Sequence, residues 1–92
     1  MTRRFQQNPK VEAAVLNNEV ILFEPGTVKF FLLNPTSTVV WNTLSTPTAL
    51  EALAEAVCTH FDGVGSGDAL RDVQATLDEM VAMALVLTDD AG

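Results

Sequence analysis

The sequence predicts an α+β domain in which a three-stranded antiparallel sheet is followed by three helices. Three observations carry that expectation. Runs of β-favouring residues are separated by the turn signals Asn17-Asn18 and Glu24-Pro25-Gly26. At Asn34-Pro35 the apolar pattern switches from continuous runs to helical spacing. Beyond that point, apolar residues recur at intervals of three and four, interrupted by Ser45-Thr46-Pro47 and by the glycines from Gly63 to Gly67.

The elements follow in order. Residues 1–10 are polar and are expected to form a flexible N-terminal tail. Val11 to Leu16 reads as a strand that its alanines weaken. Asn17-Asn18 suits a tight hairpin, because Asn tolerates positive φ. Glu19 to Phe23 is the second expected strand and Val28 to Leu33 the third, which completes a meander. Asn34 is a good N-cap, and Pro35 fits the first helical position, where a missing N–H costs nothing. Val40, Trp41 and Leu44 then mark the inner face of the first helix. Thr48 and Glu51 have capping-box spacing ahead of a second helix with Leu50, Leu53, Ala54, Val57 and Phe61 on one side. Asp62 to Gly67 reads as the most flexible loop, and Asp68 as the cap of the third helix. That helix carries Leu70, Val73, Leu77, Met80 and Ala84 in one stripe. Leu85-Val86-Leu87 fits a last turn or a short returning strand, and residues 88–92 a flexible C-terminal tail. The folded domain is therefore expected over residues 11–87. The helices must cover one sheet face, since so small a sheet does not stand alone.

At 92 residues there is room for one core only. The net charge is −7, yet Arg3, Arg4 and Lys10 gather three of the five basic residues ahead of all twelve acidic ones. An acidic folded part disfavours nucleic acid, whose phosphates call for several Lys or Arg contacts. The single cysteine excludes an internal disulfide. Neither a bilayer-length apolar run nor the apolar core of a signal peptide is visible, which makes the cytoplasm the expected compartment.

Little points to catalysis or to a cofactor. Cys58 and His60 lie two apart on a helix, a spacing that does not share a face, so no metal site is expected. Cys58 reads as a small filler at the core boundary, and His60 as a surface residue at a helix end. Asp78-Glu79 and Asp89-Asp90 are adjacent pairs that diverge rather than face each other across a cleft. No nucleophile triad, phosphate loop or dinucleotide fingerprint is present. Met80 fits the core, while Met83 sits on a different flank that core packing does not explain.

The third expected strand stands out. A sheet covered on one side should alternate apolar and polar residues, but Phe30, Phe31, Leu32 and Leu33 are all apolar. Val28, Phe30 and Leu32 take one face, Phe31 and Leu33 the other. In a meander this strand is an edge with unpaired backbone groups. It suits a peptide that adds as a further strand, or burial by the chain's own termini or a second copy.

In this order the residues resemble the PqqD family, the small domains also called recognition elements for ribosomally made and modified peptides. The resemblance runs from about Asn8 to Val86. It rests on the apolar run Val20 to Phe23, on Phe30-Phe31 followed by Leu33-Asn34-Pro35, on Val40-Trp41 and Leu44, on Thr48 and Glu51, and on Asp72, Leu77, Val81 and Leu85. Two positions depart from the pattern. Leu32 is apolar where the family often has a polar residue, and Ala84 stands where Gly is common. The resemblance implies a winged helix-turn-helix-like fold that binds the leader of a precursor peptide along the third strand, beside the third helix. It also implies presentation of that precursor to a modifying enzyme, such as a radical SAM maturase or the leader peptidase of a lasso-peptide pathway.

The expected function is thus that of a non-catalytic peptide chaperone without cofactor or metal. The expected peptide-binding residues are Val28, Lys29, Phe30, Phe31, Leu32 and Leu33 on the strand and Asp72, Val73, Thr76, Leu77, Glu79 and Met80 on the helix. Two alternatives use the same elements: a subunit that self-pairs through the edge strand as a homodimer, and a winged-helix nucleic-acid binder. The acidic third helix, with Asp68, Asp72, Asp78 and Glu79 against Arg71, argues against the last.

Overall fold

The computed structural model describes residues 3–63 and 65–89, apart from the side chain of Asp89. Met1 and Thr2 of the expected N-terminal tail, Val64 of the glycine loop and residues 90–92 of the expected C-terminal tail lie outside the described residues. The described chain runs β1 (Arg4–Gln7), β2 (Glu12–Leu16), β3 (Glu19–Glu24), β4 (Lys29–Leu32), α1 (Pro35–Thr43), β5 (Thr48–Ala49), α2 (Leu50–His60), α3 (Ser66–Ala82) and β6 (Val86–Asp89).

The expected meander is present as an antiparallel sheet in the order β2-β3-β4. Asn17 and Asn18 both hold positive φ, 54° and 67°, which is what a two-residue turn matched to strand twist requires. Register pairs Val15 with Val20 across this hairpin and Leu22 with Phe31 across the next. Val20 and Leu22 point inward and are buried with Leu33. They meet Val40, Trp41 and Leu44 of the α1 region, Leu53 and Val57 of α2, and Val73, Leu77 and Met80 of α3 in one cluster. Three helices therefore cover one face of a three-stranded sheet, and the α+β class is as the sequence indicates.

The N-terminal segment differs from the expected flexible tail. Arg4–Gln7 forms β1, the centre of a second small sheet in the order β5-β1-β6. Phe5 is buried, Gln7 Nε2 donates to the Trp41 carbonyl at 2.7 Å, and Asn8 Nδ2 donates to the Ala84 carbonyl at 2.7 Å. A single apolar residue in a polar stretch leaves no period to read, and the partner strand is about 80 residues away, so the pairing is invisible locally. The same pairing carries Thr88 and Asp89 into β6, so the expected C-terminal tail starts inside a strand.

Local chemistry also departs at the helix ends. Thr48 does not cap α2: the N-cap is Ala49, without a side-chain bond. Thr48 instead pairs with Phe5, and its hydroxyl donates to the Thr46 carbonyl at 2.8 Å. Asp68 does not cap α3 either, because the helix starts at Ser66 and places it in the first turn. Ala69, not Leu70, faces the core: Ala69, Val73 and Leu77 lie at strict intervals of four and are fully buried, while Leu70 is 40% exposed. Ala84 lies beyond the helix and is exposed. There the Leu85 N–H bonds to the Met80 carbonyl and the Ala84 N–H to that of Val81, with Ala84 at φ 61°. This is a Schellman motif with Ala in the position that favours Gly.

A strand edge beside a helix-lined notch

The candidate site begins at the β3–β4 turn. Glu24 is buried, and its Oε2 accepts from the N–H of Thr27 and, at 3.0 Å, from the Thr27 hydroxyl. The Thr27 N–H holds the Glu24 carboxyl below its ordinary pKa; burial opposes this, and the Thr27 hydroxyl, the Gly26 backbone and Lys10 reinforce it. A Cβ on Gly26 would come within 2.9 Å of Glu24 Oε1, so glycine lets the carboxylate fold over the turn. The turn ends at Val28, whose φ of 55° is unusual for a β-branched residue. Val28 therefore lies outside the strand expected to begin with it, and β4 starts at Lys29.

β4 is an edge, and its two sides differ. The Leu33 N–H donates to the Val20 carbonyl at 2.9 Å. Bonded and non-bonded positions alternate along an antiparallel ladder, so Phe31 also turns its N–H to β3 while Phe30 and Leu32 turn theirs to the open side. The side chains alternate as expected. Phe30 and Leu32 are 70% and 64% exposed, whereas Phe31 is partly buried and Leu33 is buried. At the far end, Asn34 and Ser37 form a reciprocal capping box: the Ser37 N–H donates to Asn34 Oδ1 at 2.8 Å and the Asn34 N–H to Ser37 Oγ at 2.9 Å. Pro35 occupies the start of α1 as expected. The cap and the glutamate turn hold the two ends of the edge strand.

A notch of about 110 Å³ lies between this strand and α3. Its walls come from Phe31, Leu32, Leu33, Thr76, Glu79 and Met80, all expected from the sequence, and from Asn34, Ser37, Met83 and Leu85, which were not. The sequence marks Met83 as a methionine off the core face and Asn34 only as a helix cap, and it gives no signal for Ser37. Asp72 is exposed one turn before Thr76 and does not line the notch. Val73 and Leu77 have no accessible surface and support it from beneath, which corrects the expectation that they meet a peptide directly. The notch is far smaller than the roughly 300–1,000 Å³ of small-molecule pockets. It has room for one side chain of something longer. The opposite edge, β2, is exposed along its whole length.

Among the described residues no group of three or more His, Cys, Asp or Glu could hold a metal ion, and no helix is long and apolar enough to cross a membrane. Cys58 is half-buried against the core, and His60 is exposed with its ring edge-on to Phe61 at 4.8 Å.

An open edge strand, a helix-lined notch beside it and a capped turn at each end define a small α+β domain with one strand edge left unpaired next to a helix. The family comparison is consistent with that class. A family model described as coenzyme PQQ synthesis protein D matches residues 19–86, and the chain belongs to this PqqD family, as its sequence indicates. No curated protein sequence matches it. Two solved structures share the fold. One is TbiB1 in complex with the TbiA(beta) leader peptide, 22% identical, with TM-score 0.79 over 88% of this chain and 93% of that one. The other is a lasso peptide synthetase B1 complexed with the leader peptide, 19% identical, with TM-score 0.78 over 90% of this chain and 96% of that one.

Proposed function

We propose that this protein binds the leader segment of a ribosomally made precursor peptide by strand addition at β4, and presents the precursor to an enzyme that modifies or cleaves it. The observation that carries this reading is the open backbone of Phe30 and Leu32 directly beside the notch of Phe31, Met80 and Met83. Main-chain bonds at the edge supply affinity, and alternate side chains of the added strand enter the notch, which supplies selection. Methionines suit such a wall because they adapt to irregular partners. Glu79 and Thr76 offer polar contacts at its rim, with Asp72 one turn further along. Two structures of this fold hold leader peptides, which supports the reading. Chemistry on the precursor belongs to the partner enzyme, with a radical SAM maturase and a leader peptidase as the classes expected.

A leader segment of about seven residues should bind with micromolar affinity or better after the cost of ordering it. Titration of a fluorescent synthetic leader, taken from the precursor encoded nearest this gene, tests the proposal by anisotropy. Saturable binding is expected. No binding at about 100 μM, some hundredfold weaker than that expectation, contradicts it.

A further inference from the structure

Apart from Leu32, which also borders the notch, the side chains on the face of the β2-β3-β4 sheet turned away from the helices have no role in the leader reading. Register places Leu16, Ile21, Phe23, Phe30 and Leu32 on it. Leu16, Phe30 and Leu32 are more than half exposed, and the Phe23 and Phe30 rings meet at a tilt of 39° with centroids 4.8 Å apart. Three strands about 4.8 Å apart and about five residues long give a face of roughly 250 Å². A stable interface takes roughly 800 Å² from each partner. The patch is thus sized for a transient contact rather than a permanent one.

Its charges indicate the occupant. Glu12 pairs with Phe23 and Glu19 with Leu16, so both carboxylates lie on this same face at its two ends. A second copy would bring the same carboxylates and another net charge of −7 against them. A protein surface with an apolar centre and Lys or Arg at its margins would meet both features.

We infer that this outer sheet face docks the enzyme that acts on the bound peptide, through an apolar patch edged with basic residues. The identity of that enzyme rests on the leader-binding reading; the docking face itself does not. β4 is common to both contacts: its edge and inner face serve the peptide, and its outer face serves the enzyme. The two partners are then held on opposite sides of one strand, which raises their effective concentration for each other.

The test uses the full chain and the peptide-modifying enzyme encoded beside it, with its precursor. Leu16→Glu alters the patch at the strand farthest from the β4 edge, and Glu12→Lys reverses a rim charge without removing apolar surface. Enzyme capture by the domain alone is measured first, without peptide, so the result does not depend on leader binding. Leu16→Glu, which sets a charge in the apolar patch, should weaken that capture about tenfold, and Glu12→Lys, which reverses a rim charge, about threefold to fivefold. Each should slow precursor processing in proportion at low enzyme concentration, while leader affinity stays within about twofold and the melting temperature holds. Unchanged enzyme capture in both variants overturns the inference. So does a leader affinity that falls with the capture, since the face would then be part of the leader site. A wild-type chain that sediments as a dimer and a Leu16→Glu chain that sediments as a monomer would assign the face to a second copy instead.

Discussion

Phe30 and Phe31 are neighbours of one type on opposite faces of β4, so truncating each in turn reads the orientation of the edge strand directly. Phe31 packs against the core cluster and walls the notch, while Phe30 is 70% exposed and touches chiefly Phe23. A fully buried Phe→Ala change costs about 3–5 kcal/mol. Phe31 is only partly buried, which brings Phe31→Ala to about 2–3 kcal/mol. Phe30→Ala gives up a minor share of burial and one aromatic pair, about 1 kcal/mol. For a domain of this size each kcal/mol moves the melting temperature by about 4–8 °C. Phe31→Ala should therefore melt roughly 5–15 °C below Phe30→Ala. Trp41, the chain's one tryptophan and 4% exposed, reports the unfolding by fluorescence. Equal losses, or a larger loss for Phe30→Ala, would mean that the strand presents its faces the other way round and that the notch has been assigned to the wrong side chains.

Three further outcomes follow from the geometry. Ala84→Gly should raise stability by about 0.5–1 kcal/mol, because Ala84 holds φ 61° in a Schellman motif where Gly carries no Cβ penalty; a lower midpoint in urea would contradict that conformation. Phe30→Pro should fold yet lose leader binding, since it removes an N–H turned to the open edge and edge strands tolerate Pro; a variant that folds and still binds would exclude strand addition at β4. Glu24 has a folded pKa below its unfolded value, so its contribution is present above the ordinary carboxylate range and is lost as pH falls through the folded pKa. Glu24→Gln should accordingly flatten the fall of melting temperature below about pH 4.5, and an acid limb identical to wild type would remove Glu24 from the account of the turn.

Much of this architecture is legible in the sequence because it rests on local chemistry. Asn17-Asn18 specifies its turn, Asn34-Pro35 specifies a helix start, and four apolar residues in a row at Phe30 to Leu33 announce a strand that is apolar on both faces. What is not legible depends on partners distant in the chain. β1 forms because β6 and Thr48–Ala49 receive it, and Phe5 alone in a polar stretch gives no hint of that. The sequence points to Leu70 at the start of the α3 stripe because it is the more hydrophobic neighbour, while the tight packing there takes Ala69. The site divides in the same way. The strand residues were readable from their pattern, whereas the depth of Val73 and Leu77 and the part played by Asn34, Ser37 and Leu85 in the notch needed the packing of α3 against β4.

Amide hydrogen exchange with and without the leader peptide tests strand addition most directly, because the edge of β4 alternates. Phe31 and Leu33 turn their N–H groups to β3 and should exchange slowly in either state, while Phe30 and Leu32 turn theirs to the open side and should exchange fast in the free protein. Saturating leader should slow Phe30 and Leu32 by about tenfold or more and leave Phe31 and Leu33 nearly unchanged. Bound leader with Phe30 and Leu32 still exchanging at their free rates would show that the peptide binds elsewhere and that β4 is not its template.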